Sequence, residues 1–140
     1  MKDTYWKHLE HKADIGIQGV GPSPELAFAQ AGIALMAVVC DPDSIERKTT
    51  RTVKCRGSDL EMLFYDFINE LIYLISGEGF VYSHLEVQLD DHGLKAEIYG
   101  EPLESTRHSP AVEVKGASFS GLKVFPDHGG LFKAQCIVDV

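Results

Sequence analysis

Asp14 stands in the run Ala13-Asp14-Ile15-Gly16-Ile17, and Asp139 stands between Val138 and Val140. Both runs alternate as strands do, and neither needs a carboxylate for packing. Aspartate is depleted in strands and is seldom fully buried without a partner. Two readings are open. In the plainer one, Asp14 lies at a strand edge, hydrogen-bonded to backbone or paired with a lysine. Asp139 is then a solvated position on a terminal strand while Ile137 and Val138 do the packing. In the other, the terminal strand pairs beside Asp14, so that two carboxylates and the main-chain terminus at Val140 converge. Such an all-oxygen set suits a hard cation, calcium or magnesium, and not zinc. His11 precedes Asp14 by three residues, a spacing that faces opposite sides of a strand unless the chain bends there.

Other chemistries find little support. The sequence has no Gly-x-Ser-x-Gly elbow, Walker A motif or dinucleotide glycine pattern. Cys40, Cys55 and Cys136 are odd in number, far apart and set among apolar residues, which reads as free thiols in a reducing compartment. His92 and His128 fall in turns. His108, after Arg107 in a long polar loop, reads first as a loop-stabilising hydrogen-bond partner. Thirteen Lys and Arg against 21 Asp and Glu give a net charge of −8, which opposes direct binding to nucleic-acid phosphates. The one basic cluster, Arg47 to Lys54, reads as a solvated strand face. A basic protein partner or a cation is the expected ligand class. No apolar run approaches a membrane span and Met1 to Trp6 lacks a signal core, so a cytoplasmic protein is expected.

The elements that must position these residues read as one α+β domain over 1–140. It is a mainly antiparallel sheet with two long helices packed on it. A first strand is expected from Trp6 to Val20, interrupted near His11. Ser23 before Pro24 caps a helix running to Val39, with Leu26, Ala29, Ile33 and Ala37 along one stripe. A Thr-rich strand is expected from Ile45 to Arg56. Ser58 and Glu61 have the spacing of a capping box for a second helix, Asp59 to Ser76, burying Leu60, Leu63, Phe64, Phe67, Leu71 and Leu74. Strand signals follow around Phe80 to Leu89, with Asp90-Asp91-His92-Gly93 as a hairpin turn and Leu94, Ala96 and Ile98 on the return. After a loop with a helical turn near Glu104 to Arg107, strands are expected at Ala111–Val114 and Ser118–Phe125. A last strand presents Phe132, Ala134, Cys136 and Val138 on one face.

His11-x-Ala-Asp14-Ile-Gly16, the helix Gly57-Ser-Asp-Leu-Glu61-x-Leu-Phe64-x-Asp-Phe-Ile-Asn-Glu-Leu-Ile-Tyr-Leu74 and the terminal Ile137-Val-Asp-Val140 together resemble the archease family. Gly100-Glu101-Pro102-Leu103, Arg107-His108 and Val114-Lys115 extend the resemblance over essentially the whole chain. It implies an α+β accessory protein of the RtcB-type RNA ligase, which joins RNA 2′,3′-cyclic or 3′-phosphate ends to 5′-hydroxyl ends in tRNA splicing and RNA repair. Such a protein promotes guanylylation of the ligase and its multiple turnover, is not an enzyme, and meets tRNA only through the ligase. The resemblance also implies a divalent metal ion, calcium first and magnesium or manganese after it, on Asp14, Asp139 and the main-chain oxygen of Val140. The chain departs from the family in Lys115-Gly-Ala-Ser-Phe-Ser120, where Ser120 replaces a histidine, and in Phe132, which replaces a tryptophan. Two other functions compete: a metal-dependent phosphoester hydrolase using Asp14, Asp139 and His11, and a generic chaperone or interaction module.

Overall fold

The computed structural model describes residues 3–11 and 14–140. Strand β1 (Tyr5–His11) pairs antiparallel with β2 (Asp14–Gly21), from Tyr5 against Val20 to His11 against Asp14. Sequence alone suggested one interrupted strand here; the interruption is instead a reversal of the chain. Positions 11 and 14 therefore lie opposite one another and not on opposite faces of one strand.

Helix α1 (Pro24–Val39) starts as expected, with Ser23 Oγ accepting the Leu26 N–H at 3.2 Å and proline in the first turn. The anticipated stripe is corrected. Leu26 is 43% exposed, whereas Ala27, Phe28, Ala31, Ala34, Leu35 and Met36 are fully buried. The reason is placement: α1 packs on β1 and β2 on one side and on β4 (Phe80–Asp90) on the other. A helix held between two sheets is apolar around most of its circumference, so its periodicity carries little contrast. Its closest approach is at Gly19, where a Cβ would run into the backbone of Ala27 and Ala31.

A single 3₁₀ turn, Pro42–Ser44, follows, capped by Asp41. Strand β3 then covers Thr49–Arg56, shorter at its start than the expected Ile45–Arg56, because the Ile45 N–H closes the turn on the Pro42 carbonyl and the Glu46 N–H is taken by the Glu101 carboxylate. Helix α2 (Leu60–Ile72) runs on into a π-helical turn, Tyr73–Gly77. Its cap is Asp59, not Ser58: Asp59 Oδ1 accepts the N–H groups of Glu61 at 2.9 Å and Met62 at 3.5 Å. Glu61 is free to reach elsewhere, and its Oε2 accepts the Val124 N–H at 3.3 Å. Phe64 and Phe67 pack against Phe28 with ring centroids 5.0 and 6.1 Å away, joining the two helices.

Strand β4 turns through Asp90, whose Oδ1 accepts the His92 and Gly93 N–H groups, into β5 (Gly93–Pro102). A short helix α3 (Ser105–His108) precedes β6 (Gly116–Pro126) and β7 (Phe132–Asp139). The expected strand at Ala111–Val114 does not form. That stretch is tied by single contacts: Ala111 N–H to the Val39 carbonyl at 2.8 Å and Ser76 Oγ to the Val114 carbonyl at 3.2 Å. Among the described residues the strands form two antiparallel sheets, ordered β1-β2-β7-β6 and β3-β5-β4. The helices lie between them, α2 touching β6 of the first and β3 of the second.

Candidate functional site

The strand order makes β2 and β7 neighbours at the centre of the four-stranded sheet, with Ile15 opposite Val138 and Ile17 opposite Cys136. The ladder ends at Ile15–Val138, and Asp14 and Asp139 are the next residues outward, which the same register, continued by one step, would set opposite each other. Directly opposed residues of an antiparallel pair share a face, with Cα atoms roughly 4.5 to 5.5 Å apart. Gly19 points at α1, so the even positions of β2, Asp14 among them, belong to the face turned away from the helix. Asp14 is half-buried, and Asp139 and Val140 are exposed. From the other side Gly116 of β6 pairs with Asp139, and the Lys115 N–H donates to the Asp139 carbonyl at 2.8 Å.

The plainer expectation for Asp14 was a backbone hydrogen bond or a lysine. Among the described residues no hydrogen bond or ion pair to either carboxylate is formed. No group of three His, Cys, Asp or Glu side chains is placed to hold a metal among those residues either. Two carboxylates and a main-chain oxygen are hard donors and would leave the remaining positions to water. That set fits a hydrated calcium or magnesium ion and not a tetrahedral zinc site.

Next to these strands lies a depression of about 160 Å³ lined by Leu9, Glu10, Gly16, Gly121, Gln135, Cys136 and Ile137. Beside it an amide relay crosses the sheet. Gln18 Nε2 donates to Gln135 Oε1 at 2.7 Å, and Gln135 Nε2 donates to the Gly121 carbonyl at 3.3 Å.

A second polar centre was not anticipated as such. Glu101, near the end of β5, is 1% exposed and accepts from every side. Arg107 donates to both carboxylate oxygens, at 2.6 and 2.8 Å. The His108 Nε2–H (3.0 Å) and the Glu46 N–H (2.8 Å) add two more bonds, and Lys48 Nζ stands 3.5 Å away. His108 Nδ1 accepts the Glu104 N–H at 2.9 Å, which assigns the ring proton to Nε2. The Arg107 guanidinium, helped by the Glu46 N–H and His108, holds the Glu101 carboxyl well below the usual range despite burial. His108 thus has the loop-stabilising role expected of it. The centre fixes the start of the 103–115 segment, whose far end reaches Asp139 through Lys115. The signal in the sequence was a strand glutamate followed across a loop by adjacent Arg and His.

Comparison with known proteins places this architecture. Residues 6–140 match the model of the archease protein family. Protein archease of Pyrococcus abyssi is 39% identical over 96% of this chain and 98% of its own. Protein archease-like of Drosophila melanogaster is 29% identical over all of this chain and 93% of its own. The solution structure of Methanobacterium thermoautotrophicum protein 1598 superposes with a TM-score of 0.84 at 28% identity, covering both chains completely. A Thermotoga maritima archease, named a possible chaperone, shares the fold at a TM-score of 0.59 and 21% identity, with 96% of each chain covered. None of these names is that of an enzyme. The order of strands, the helix pair between the sheets and the match from Trp6 to Val140 lead to one conclusion: the chain belongs to the archease family.

Proposed function

We propose that this protein is a non-catalytic activator of an RtcB-type RNA ligase, promoting guanylylation of the ligase and hence its multiple turnover. The observation that supports the reading is the antiparallel pairing of β2 with β7 up to Ile15–Val138, which leaves Asp14 and Asp139 as the next residues outward on neighbouring strands. Asp14, Asp139 and the main-chain oxygen of Val140 would hold a divalent ion, calcium or magnesium, which would supply positive charge for an anionic oxygen of the partner or its nucleotide. The chain's own part is to position. The Lys115 N–H fixes the Asp139 backbone, and Glu101 fixes the segment that delivers Lys115. An accessory protein needs only a higher affinity for the guanylylation-competent state of its partner to raise that state's population. The net charge of −8 suits a basic protein surface and disfavours RNA held directly.

The test is multiple-turnover ligation and ligase guanylylation with and without this protein, alongside calcium calorimetry on the isolated chain. Stimulation by wild type, and loss of both stimulation and calcium heat in Asp14→Asn, is the expected result. Unchanged guanylylation across a titration of wild type rejects the reading. Metal-dependent phosphoester hydrolysis without ligase would replace it with the hydrolase alternative.

A further inference from the structure

Strand β6 is the outer strand of its sheet, and its pairing with β7 is broken in the middle. The register holds from Gly116 to Ser118 and again from Lys123 to Pro126, and shifts between. Residues 119–122 therefore stand out of the ladder, with Gly121 at φ 68°, a conformation that side chains with a Cβ rarely take.

This bulge is held from three directions. The Gln18–Gln135 relay ends on the Gly121 carbonyl. Ser118 Oγ accepts the Ser120 N–H at 3.0 Å. Tyr65 of α2 stacks on Phe119, with centroids 4.3 Å apart and planes 13° from parallel. The helix reinforces this along one stripe, positions 61, 65 and 69. Glu61 takes the Val124 N–H, and Asn69 Oδ1 takes the Ala117 N–H at 3.0 Å. Those two bonds occupy N–H groups on either side of the bulge, so α2 blocks addition of a further strand at these positions.

What the arrangement leaves open is Phe119. It is 62% exposed although one ring face is already covered, and it is the most exposed of the large apolar side chains among the described residues. An aromatic ring fixed in position by stacking loses little entropy on binding, which is the property of an interface anchor. The helix beside it carries Glu61, Asp66 and Glu70 and no lysine or arginine from Leu60 to Gly77. Asp66 and Glu70 are exposed. The nearby cations come from other elements: Lys54, across the depression it shares with Asp66 and Glu70, Lys115 just before β6, and Lys123 on it.

We infer that the Phe119 bulge is a preorganised docking knob for a partner protein presenting an apolar socket with a basic rim. In the reading given above, on which this inference rests, that partner is the ligase. Gly116, three residues before Phe119 on the same strand, pairs with Asp139, so a partner seated on Phe119 stands about 10 Å along the strand from that aspartate. The anchor sets affinity and the aspartate pair sets stimulation, two separable quantities.

The experiment measures ligase binding, guanylylation, calcium binding and melting temperature for wild type, F119A and the double variant D66K/E70K. F119A should bind the ligase about 30-fold or more weakly, as truncated aromatic anchors do, with unchanged calcium binding and a melting temperature lowered by only about 2–5 °C through loss of the Tyr65 stack. At saturating F119A, stimulation should return. D66K/E70K should bind more weakly and with a flatter salt dependence. If wild type binds and stimulates while F119A binds within about twofold of it, the knob is overturned and the activator reading stands. If F119A loses binding only in proportion to a lowered melting temperature, the bulge is structural and the inference also falls. If wild type neither binds nor stimulates, the activator reading itself fails.

Discussion

Replacing Glu101 by glutamine keeps the shape of the side chain and removes its charge. The wild-type carboxylate receives two bonds from Arg107, one from His108 and one from the Glu46 N–H, with Lys48 close by. A glutamine amide offers one acceptor atom, and its NH₂ must face at least one of these donors. Breaking a buried pair from one side costs roughly 3–5 kcal/mol. The Arg107 side chain is one-third exposed and can rehydrate, which places this case at the lower end, about 3 kcal/mol. For a domain of this size that corresponds to a fall of about 10 °C in melting temperature at pH 7. The pH dependence gives a second check. The folded carboxyl titrates below its unfolded value, so its stabilisation is complete above about pH 4.3 and is lost as the pH falls through that value toward the folded pKa. The gap between wild type and E101Q should be flat from about pH 6 to 8 and close below about pH 4. Thermal melts at several pH values read both quantities. A melting temperature within about 2 °C of wild type at pH 7, or a gap that persists unchanged into acid, would refute the assignment of Glu101 as a charged hub.

Gly19→Ala should lower stability by about 3 kcal/mol or prevent folding, since its methyl group meets backbone of α1 that has no rotamer to change; denaturant titration reads this. Burial pushes the Cys136 thiol up to about 12 and the Cys55 thiol to about 11, so thiolate is scarce at neutral pH. A disulfide reagent should label Cys136 only after denaturant is added, and rapid labelling of the native protein would contradict its burial. The protein alone should give no gel shift with tRNA fragments at submicromolar concentration and physiological salt; a salt-sensitive shift there would contradict the charge argument.

How much of this was legible in the sequence depends on whether a signal is local. The β4–β5 hairpin turn at Asp90–Gly93 and the Ser23 cap are local, and both stand as read. So does the inner face of β7, because Phe132, Ala134, Cys136 and Val138 follow a strict period of two. The cap of α2 moved from Ser58 to Asp59 because adjacent residues can both cap and only the backbone decides between them. The α1 stripe misled because burial on two sides removes the contrast that periodicity needs. The division into two sheets and the ionic partners of Glu101 are relations between distant segments, to which spacing is blind. The Asp14 and Asp139 positions were visible as residues that packing did not explain, but that their strands are neighbours, paired up to Ile15–Val138, came only with the fold.

That register has a kinetic side. β1–β2 and β4–β5 are hairpins that close over a few residues, whereas β2 meets β7 only when segments from nearly opposite ends of the described chain come together. Until then one edge of β2 is unpaired, and the face of α1 that Gly19 receives is covered by half a sheet. Closing a loop of that length is the slow, high-contact-order step in a fold of this kind. A cation held between Asp14 and Asp139 would bridge that joint, bind the closed chain and not the open one, and raise stability in proportion to the logarithm of its concentration. Such an ion would act as a latch on the last seam to form, so that competence to engage a partner and completion of folding become one event.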